Sequence, residues 1–341
     1  MRWIPWTAAP SIGHKIAVGT FAIVLVHRAP CLPAQAPQVA TPSSVRLPDE
    51  AAGIDGIVRA LISEFDRVDI VALGEAHGRK SDSDLRIALV RHPDFAREVH
   101  SIVVEFGSTT EQATLDRYIR GDNVSRVELE RVWKTTSNGT WDSPIYADFF
   151  AAVRAVNLKL PSNAQIRVLG GDPGPTDRRD REAAAVDVLE EKVLSKHGKA
   201  LLIYGAAHFY RATPASFGTS ADLARTLEKK HPGRILTVIP IGGEAEPPPP
   251  GVALRTPDYM KFESELGTHV RPVLIPLQRA PFRDFSVEEF LGGGMFSCAG
   301  GGGCKSAFAG SLLTLGQMAD AAIYFGPAAN GSVPPKRPHL R

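Results

Sequence analysis

Two short apolar runs in this chain stop in the same way. Val71-Ala-Leu-Gly-Glu-Ala-His-Gly78 and Leu202-Ile-Tyr-Gly-Ala-Ala-His-Phe209 both close on Gly-x-Ala-His. Glu75 lies two residues before His77, so in extended backbone both side chains point the same way. Gly74 and Gly78 bracket them and permit a tight turn or a close backbone approach. A third run, Ile102-Val-Val-Glu-Phe-Gly107, carries Glu105 after apolar residues, where an unpaired carboxylate is costly. Two imidazoles and one or two carboxylates allow two chemistries. His77, His208 and Glu105 could hold a divalent metal with an open position for a water that the metal acidifies. Alternatively, a histidine oriented by Glu75 or Glu105 acts as a general base without metal.

Each of these residues has a plainer reading. Glu105 could form a structural ion pair with Arg79 or Arg86, and Asp172-Pro173 could simply start a turn, leaving Arg79 and Asp172 peripheral. Tyr204 and Tyr210 flank His208 and are the candidate haem-iron ligands, although Tyr204 reads first as a core-packing residue. His92, His100, His197, His231 and His269 stand beside Pro, at helix ends or in loops, and read as surface residues.

The elements that must position this set alternate between strand and helix. Buried-type strands are expected at Val68–Leu73, Ser101–Phe106, Ile166–Leu169, Ala200–Tyr204, Ile235–Ile241, Pro272–Leu277 and Ala321–Phe325. Near-continuous apolar runs of this kind suit a sheet covered on both faces. Helical patterns occupy 82–99 (interrupted at Pro93), 143–157, 177–197 (ended by Gly198) and 220–231, and Ser125-x-x-Glu128 opens another as a capping box. On 143–157 the apolar face reads as Ile145, Phe149, Ala152, Val153 and Val156. The fold class is therefore α/β, a mostly parallel sheet flanked by helices, with a helical insertion after the second strand. In open parallel sheets ligands bind at the carboxyl ends of strands, which is where Glu75, His77, Glu105, Asp172 and His208 fall.

The first 36 residues are expected to be a signal peptide: Arg2 and Lys15 precede an apolar run, Ile16–Val26, and a small-residue exit follows. That run is shorter than the about 20 residues of a permanent membrane span. Its removal takes away Arg2, Lys15 and Arg28, so the formal charge of +2 becomes −1. No basic stripe points to nucleic acid. Residues 37–50 read as a linker, 51–327 as one α/β domain, 328–341 as a disordered tail, and Gly242–Gly251 as a Pro-rich loop. Cys298 and Cys304 are placed either to close a Gly-rich loop as a disulfide or to remain two free thiols. No Gly-x-Ser-x-Gly elbow, Walker loop or His-Glu-x-x-His helix is present.

Three segments, holding four motifs in order, carry a resemblance. "LGEAH" (73–77), "VVEFGSTTEQATLDRYIRGD" (103–122, with Gln112, Leu115, Asp116, Tyr118 and Gly121) and "LIYGAAHFYR" (202–211) resemble the superfamily that joins ChaN-like haem-binding proteins, Tiki-type proteins and erythromycin esterases. The resemblance covers roughly 68–211. Tiki-type relatives imply a metal-dependent peptidase with His77 and His208 as ligands. Erythromycin esterases imply lactone hydrolysis by a Glu and a His, although their first motif is one residue longer. ChaN-like relatives imply haem or iron binding, but "HGRKSD" (77–82) departs from the ChaN sequel, so haem ligands do not carry over. The expectation is a periplasmic or secreted protein acting on a small-molecule or peptide substrate. It is either a metal-assisted hydrolase using Glu75, His77, Glu105 and His208, or a haem- or iron-binding protein without turnover. The oligomeric state is left open.

Overall fold

The computed structural model describes residues 51–139, 141–177, 179–214, 222–243, 257–291, 296–298, 304–306 and 308–326. All seven expected strands form: β1 (Ile70–Glu75), β2 (Ser101–Ser108), β3 (Arg167–Asp172), β4 (Ala200–Gly205), β5 (Ile235–Ile241), β6 (Val273–Pro276) and, last in the chain, β9 (Ala321–Tyr324). They make one sheet in the order β3-β2-β4-β1-β5-β9-β6. Every pairing is parallel except β6 with β9. Two further short strands, β7 (Phe296–Cys298) and β8 (Cys304–Ser306), pair antiparallel, with Cys298 opposite Cys304 in register.

Alternation along the strands divides the core in two. One face carries Val71, Leu73, Ile102, Val104, Phe106, Leu201 and Ile203. Onto it pack α1 (Gly53–Glu64), α2 (Lys80–Arg91), the short α3 (Phe95–Glu98), α4 (Gln112–Arg120), α5 (Arg126–Lys134) and α6 (Pro144–Asn157). The other face carries Ala72, Val103, Leu202, Tyr204 and Ile239, covered by α7 (Arg181–Lys192), α8 (Leu223–Lys230), α9 (Pro257–Leu266) and α11 (Leu315–Met318), while α10 (Val287–Leu291) adds Val287 and Phe290. Three helices, α4 to α6, separate β2 from β3 in the chain.

Local chemistry sets the boundaries. The Ser125–Glu128 capping box forms and opens α5. The helix expected over 177–197 is shorter, because the Asp180 side chain accepts from the Glu182 and Ala183 amides and starts α7 there. It ends at Lys192, and His197 rather than Gly198 takes the left-handed conformation, at φ 53°. On α6 the buried face centres on Tyr146, Phe149, Phe150 and Val153, with Ile145 and Val156 only partly buried. The Gln112 motif also acquires a reason. β3 is an edge strand, and the Gln112 amide donates to Val168 O at 2.8 Å while its oxygen accepts from Gly170 N at 2.8 Å. A side chain thus does for the edge what a neighbouring strand would do.

Among the described residues no helix is long and apolar enough to cross a membrane. The expected signal segment, the linker, the tail, and most of the Pro-rich loop and of the Gly-rich stretch before Cys304 lie outside the described residues.

Candidate functional site

β2, β4 and β1 are consecutive in the sheet, so the strand ends that bear Glu105, His208 and His77 converge at one edge. The two Gly-x-x-His segments are neighbours: Gly74 pairs with Tyr204 and Glu75 with Gly205. Both glycines stand where a Cβ would be crowded. A Cβ on Gly74 would meet Ala206 Cα and Val238 O at 3.1 Å, and one on Gly205 would meet His77 Cε1 at 2.7 Å. The His77 ring therefore lies directly over the end of β4, with Glu105 Oε2 at 3.5 Å from the same point.

Gly205 has φ −51° and ψ 138°, which alanine adopts freely, so Gly205→Ala tests this crowding in isolation. The expected result is a native thermal melt with a loss of about 10²-fold in any activity that uses the His77 ring, because the methyl displaces that ring. Unchanged activity would mean that the ring position is not used.

Alternation sends the two carboxylates to opposite faces. Glu75 turns toward α2, where Arg86 pairs with Oε2. Oε1 accepts from the Tyr146 hydroxyl at 3.2 Å and stands 3.1 Å from His77 Nδ1. Tyr146 in turn accepts from Gly78 N at 3.0 Å, and Trp141 meets the His77 ring edge-on at 4.5 Å. A carboxylate held by Arg86 can only accept, so the proton of neutral His77 sits on Nδ1 and Nε2 keeps its lone pair. The His77 side chain is 41% exposed. Burial lowers its pKa, but the Glu75 hydrogen bond and the charge of Glu105 outweigh this and raise it above 6.5.

Glu105 turns toward α7. Its Oε2 accepts from Gly205 N at 2.7 Å, Arg181 pairs with Oε1, and His208 Nε2 stands 3.2 Å from the same oxygen. His208 Nδ1 donates to Glu182 Oε1 at 2.5 Å. Burial opposes ionisation of both partners of the Glu105–His208 pair, and their mutual attraction overcomes it. Glu105 is lowered to about 2, and His208, with Glu182 on its other side, is raised to about 9.

Among the expected residues, Glu75, His77, Glu105 and His208 thus meet. Asp172 is adjacent but fully engaged, accepting from Ser137 N at 2.7 Å, Ser137 Oγ at 2.6 Å and Gly174 N at 2.8 Å, and pairing with Arg181 at 3.3 Å. Arg79 grips Asp82 through Nε at 2.9 Å and Nη2 at 2.7 Å, and Phe325 lies under its guanidinium. Glu105 pairs with neither Arg79 nor Arg86, the partners expected for it, because both stand on the Glu75 side of the sheet. Its partner is Arg181.

Tyr204 takes the core-packing reading, and Tyr210 is buried as well. Tyr204 is 1% exposed with its hydroxyl pressed against Gly171, and Tyr210 is 4% exposed and packs edge-on to Phe308. Neither hydroxyl is placed to reach haem iron. The expected metal set of His77, His208 and Glu105 does not fit a divalent ion. Both oxygens of Glu105 and both ring nitrogens of His208 are engaged, and the Arg181 guanidinium already places a cation on Glu105. Among the described residues no group of three His, Cys, Asp or Glu is arranged to hold a metal.

Residues 61–165 match the family described as haem-binding uptake, Tiki superfamily, ChaN. That match spans about a third of the chain. No curated protein matches it in sequence. Among solved structures, a Bacillus cereus protein superposes with a TM-score of 0.52 at 13% identity, covering 84% of this chain and 94% of the other. A mutant erythromycin esterase in its open conformation gives 0.52 at 11%, covering 84% and 99%. A succinoglycan biosynthesis protein gives 0.50 at 10%, covering 84% and 94%. At these identities the likeness is one of fold, and it extends the α/β frame well past the ChaN/Tiki segment.

Arg86, Tyr146, Trp141, Arg181 and Glu182 were not singled out as site residues from the sequence. The one visible signal was Arg181-Glu182 opening a helix soon after the third strand, at the edge where ligands bind.

Proposed function

We propose that the chain is an extracytoplasmic hydrolase of esters, lactones or peptides in which His77 is the general base and no metal takes part. The observation that carries this reading is the asymmetry of His77: Nδ1 is held by buried Glu75, while the half-exposed ring has an Nε2 with no partner among the described residues. Nε2 removes a proton from water as the oxygen attacks the carbonyl carbon. Glu75, anchored by Arg86 and Tyr146, stabilises the imidazolium so formed. The same proton then passes to the leaving oxygen or nitrogen as the bond to carbon breaks. His208 and Arg181 place positive charge beside the negative charge developing on the carbonyl oxygen. Glu105, saturated and ionised, anchors these cations and is not the base. The shared fold of an erythromycin esterase is in keeping with this chemistry, and the N-terminal pattern of charge and apolarity supports the location.

The test is hydrolysis of p-nitrophenyl butyrate, a macrolide lactone and a casein peptide, with and without a chelator. Turnover of at least one probe that survives chelation is expected. The pH profile should be bell-shaped. Its rising limb lies above pH 6.5, where His77 loses its proton, and its falling limb lies near 9, where His208 loses its own. Loss of all turnover on chelation, or a folded protein inert to every probe, would sink the reading. The family description favours haem binding as the second reading. Haemin added to the same preparation would reveal it by a Soret shift.

A further inference from the structure

The imidazole of His208 is carried by a short turn of 3-10 helix, Ala206–Phe209. What holds the ring comes from elsewhere in the chain. α7 begins at Arg181, and its first two side chains reach in opposite directions along one line of charges. Arg181 pairs with Glu105. Glu182 accepts from His208 Nδ1 at 2.5 Å, and its second oxygen accepts from Asp222 N at 2.7 Å. His208 Nε2 closes the line at 3.2 Å from Glu105. The order is Arg181, Glu105, His208, Glu182, alternating in sign. Glu182 is itself fixed: it is 7% exposed, and the Asp180 cap holds its amide at 3.0 Å. Tyr204 meets the imidazole edge-on at 5.6 Å and offers it no acceptor.

We propose that Glu182 is a positioning residue for His208, its carboxylate fixing the ring through Nδ1 so that Nε2 is presented to Glu105 and the cleft. The two histidines thereby receive matching but distinct supports. Glu75 from β1 backs the base, and Glu182 from α7 backs the cationic partner. The inference rests on His208 serving hydrolysis as a charged donor, but its first readout needs no turnover.

The experiment uses the full chain labelled with 15N-histidine. The downfield ring N–H of His208, assigned by its disappearance in His208→Gln, should be visible and slow to exchange in the parent protein. In Glu182→Gln the amide oxygen still accepts, so the resonance should persist but move upfield. In Glu182→Ala it should vanish through exchange with water. With a turned-over ester as probe, Glu182→Ala should lower kcat by about 10²-fold with KM nearly unchanged, and Glu182→Gln should fall between. A His208 resonance unaltered in either folded variant would overturn the proposal. Should Glu182→Ala fail to fold, Glu182→Gln decides alone. Failure of hydrolysis in the parent protein would strike the proposed function and leave the resonance test standing.

Discussion

His77→Ala is expected to reduce kcat/KM by about 10²–10⁴-fold, the usual contribution of a positioned general base. The substitution removes a half-exposed ring that contacts Trp141 and covers Gly205, so the melting temperature should change little. Glu75→Gln is the more discriminating variant. A glutamine can turn its amide toward Nδ1 and donate, which forces the imidazole proton onto Nε2 and removes the base without removing the ring. In a triad of this kind the wrong tautomer costs about 10⁴ in kcat. The two variants should therefore lose similar amounts of activity, and the double variant little more than either alone, since the residues act as one unit. Initial rates on the turned-over probe, with circular dichroism to confirm folding, check the prediction. Glu75→Gln retaining more than about a tenth of the parent rate would show that His77 does not need a carboxylate behind it.

The strands were legible because a sheet covered on both faces writes itself as unbroken apolar runs, and the strand-end Glu75, His77, Glu105 and His208 were legible because each interrupts or terminates such a run. Their partners were not legible, for a topological reason. β4 enters the sheet between β1 and β2, so the helix lying against Glu105 is α7, about 76 positions away, rather than the nearer α2. Proximity in sequence pointed to Arg79 and Arg86, which serve the opposite face. The placement of Tyr204 was within reach of the pattern: it shares its side of β4 with Ala200 and Leu202, both buried. What stands against the metal expectation is a feature that spacing does not encode. Glu105 and His208, two of the three residues expected to hold the cation, are already engaged by Arg181, Glu182, Gly205 N and each other, and this depends on register and helix placement together.

Arg86→Met is expected to destabilise the fold by about 3–5 kcal/mol, the cost of leaving one member of a buried ion pair without its partner. Arg86 and Glu75 side chains are 1% and 3% exposed, and methionine nearly conserves the volume under Phe106, Tyr146 and Phe149, so little of the loss comes from a cavity. Equilibrium urea unfolding measures it. Combining Arg86→Met with Glu75→Gln removes the stranded charge as well, and most of the stability should return. It should return even though an ion pair has been deleted, because Nε and Nη2 of Arg86 are buried without hydrogen-bond partners among the described residues and the pair's desolvation is only partly offset. A double variant that is stable and inactive would show that the pair is kept for what it does to His77 rather than for the fold. A double variant as unstable as Arg86→Met alone would place the value of Arg86 in its aromatic contacts instead.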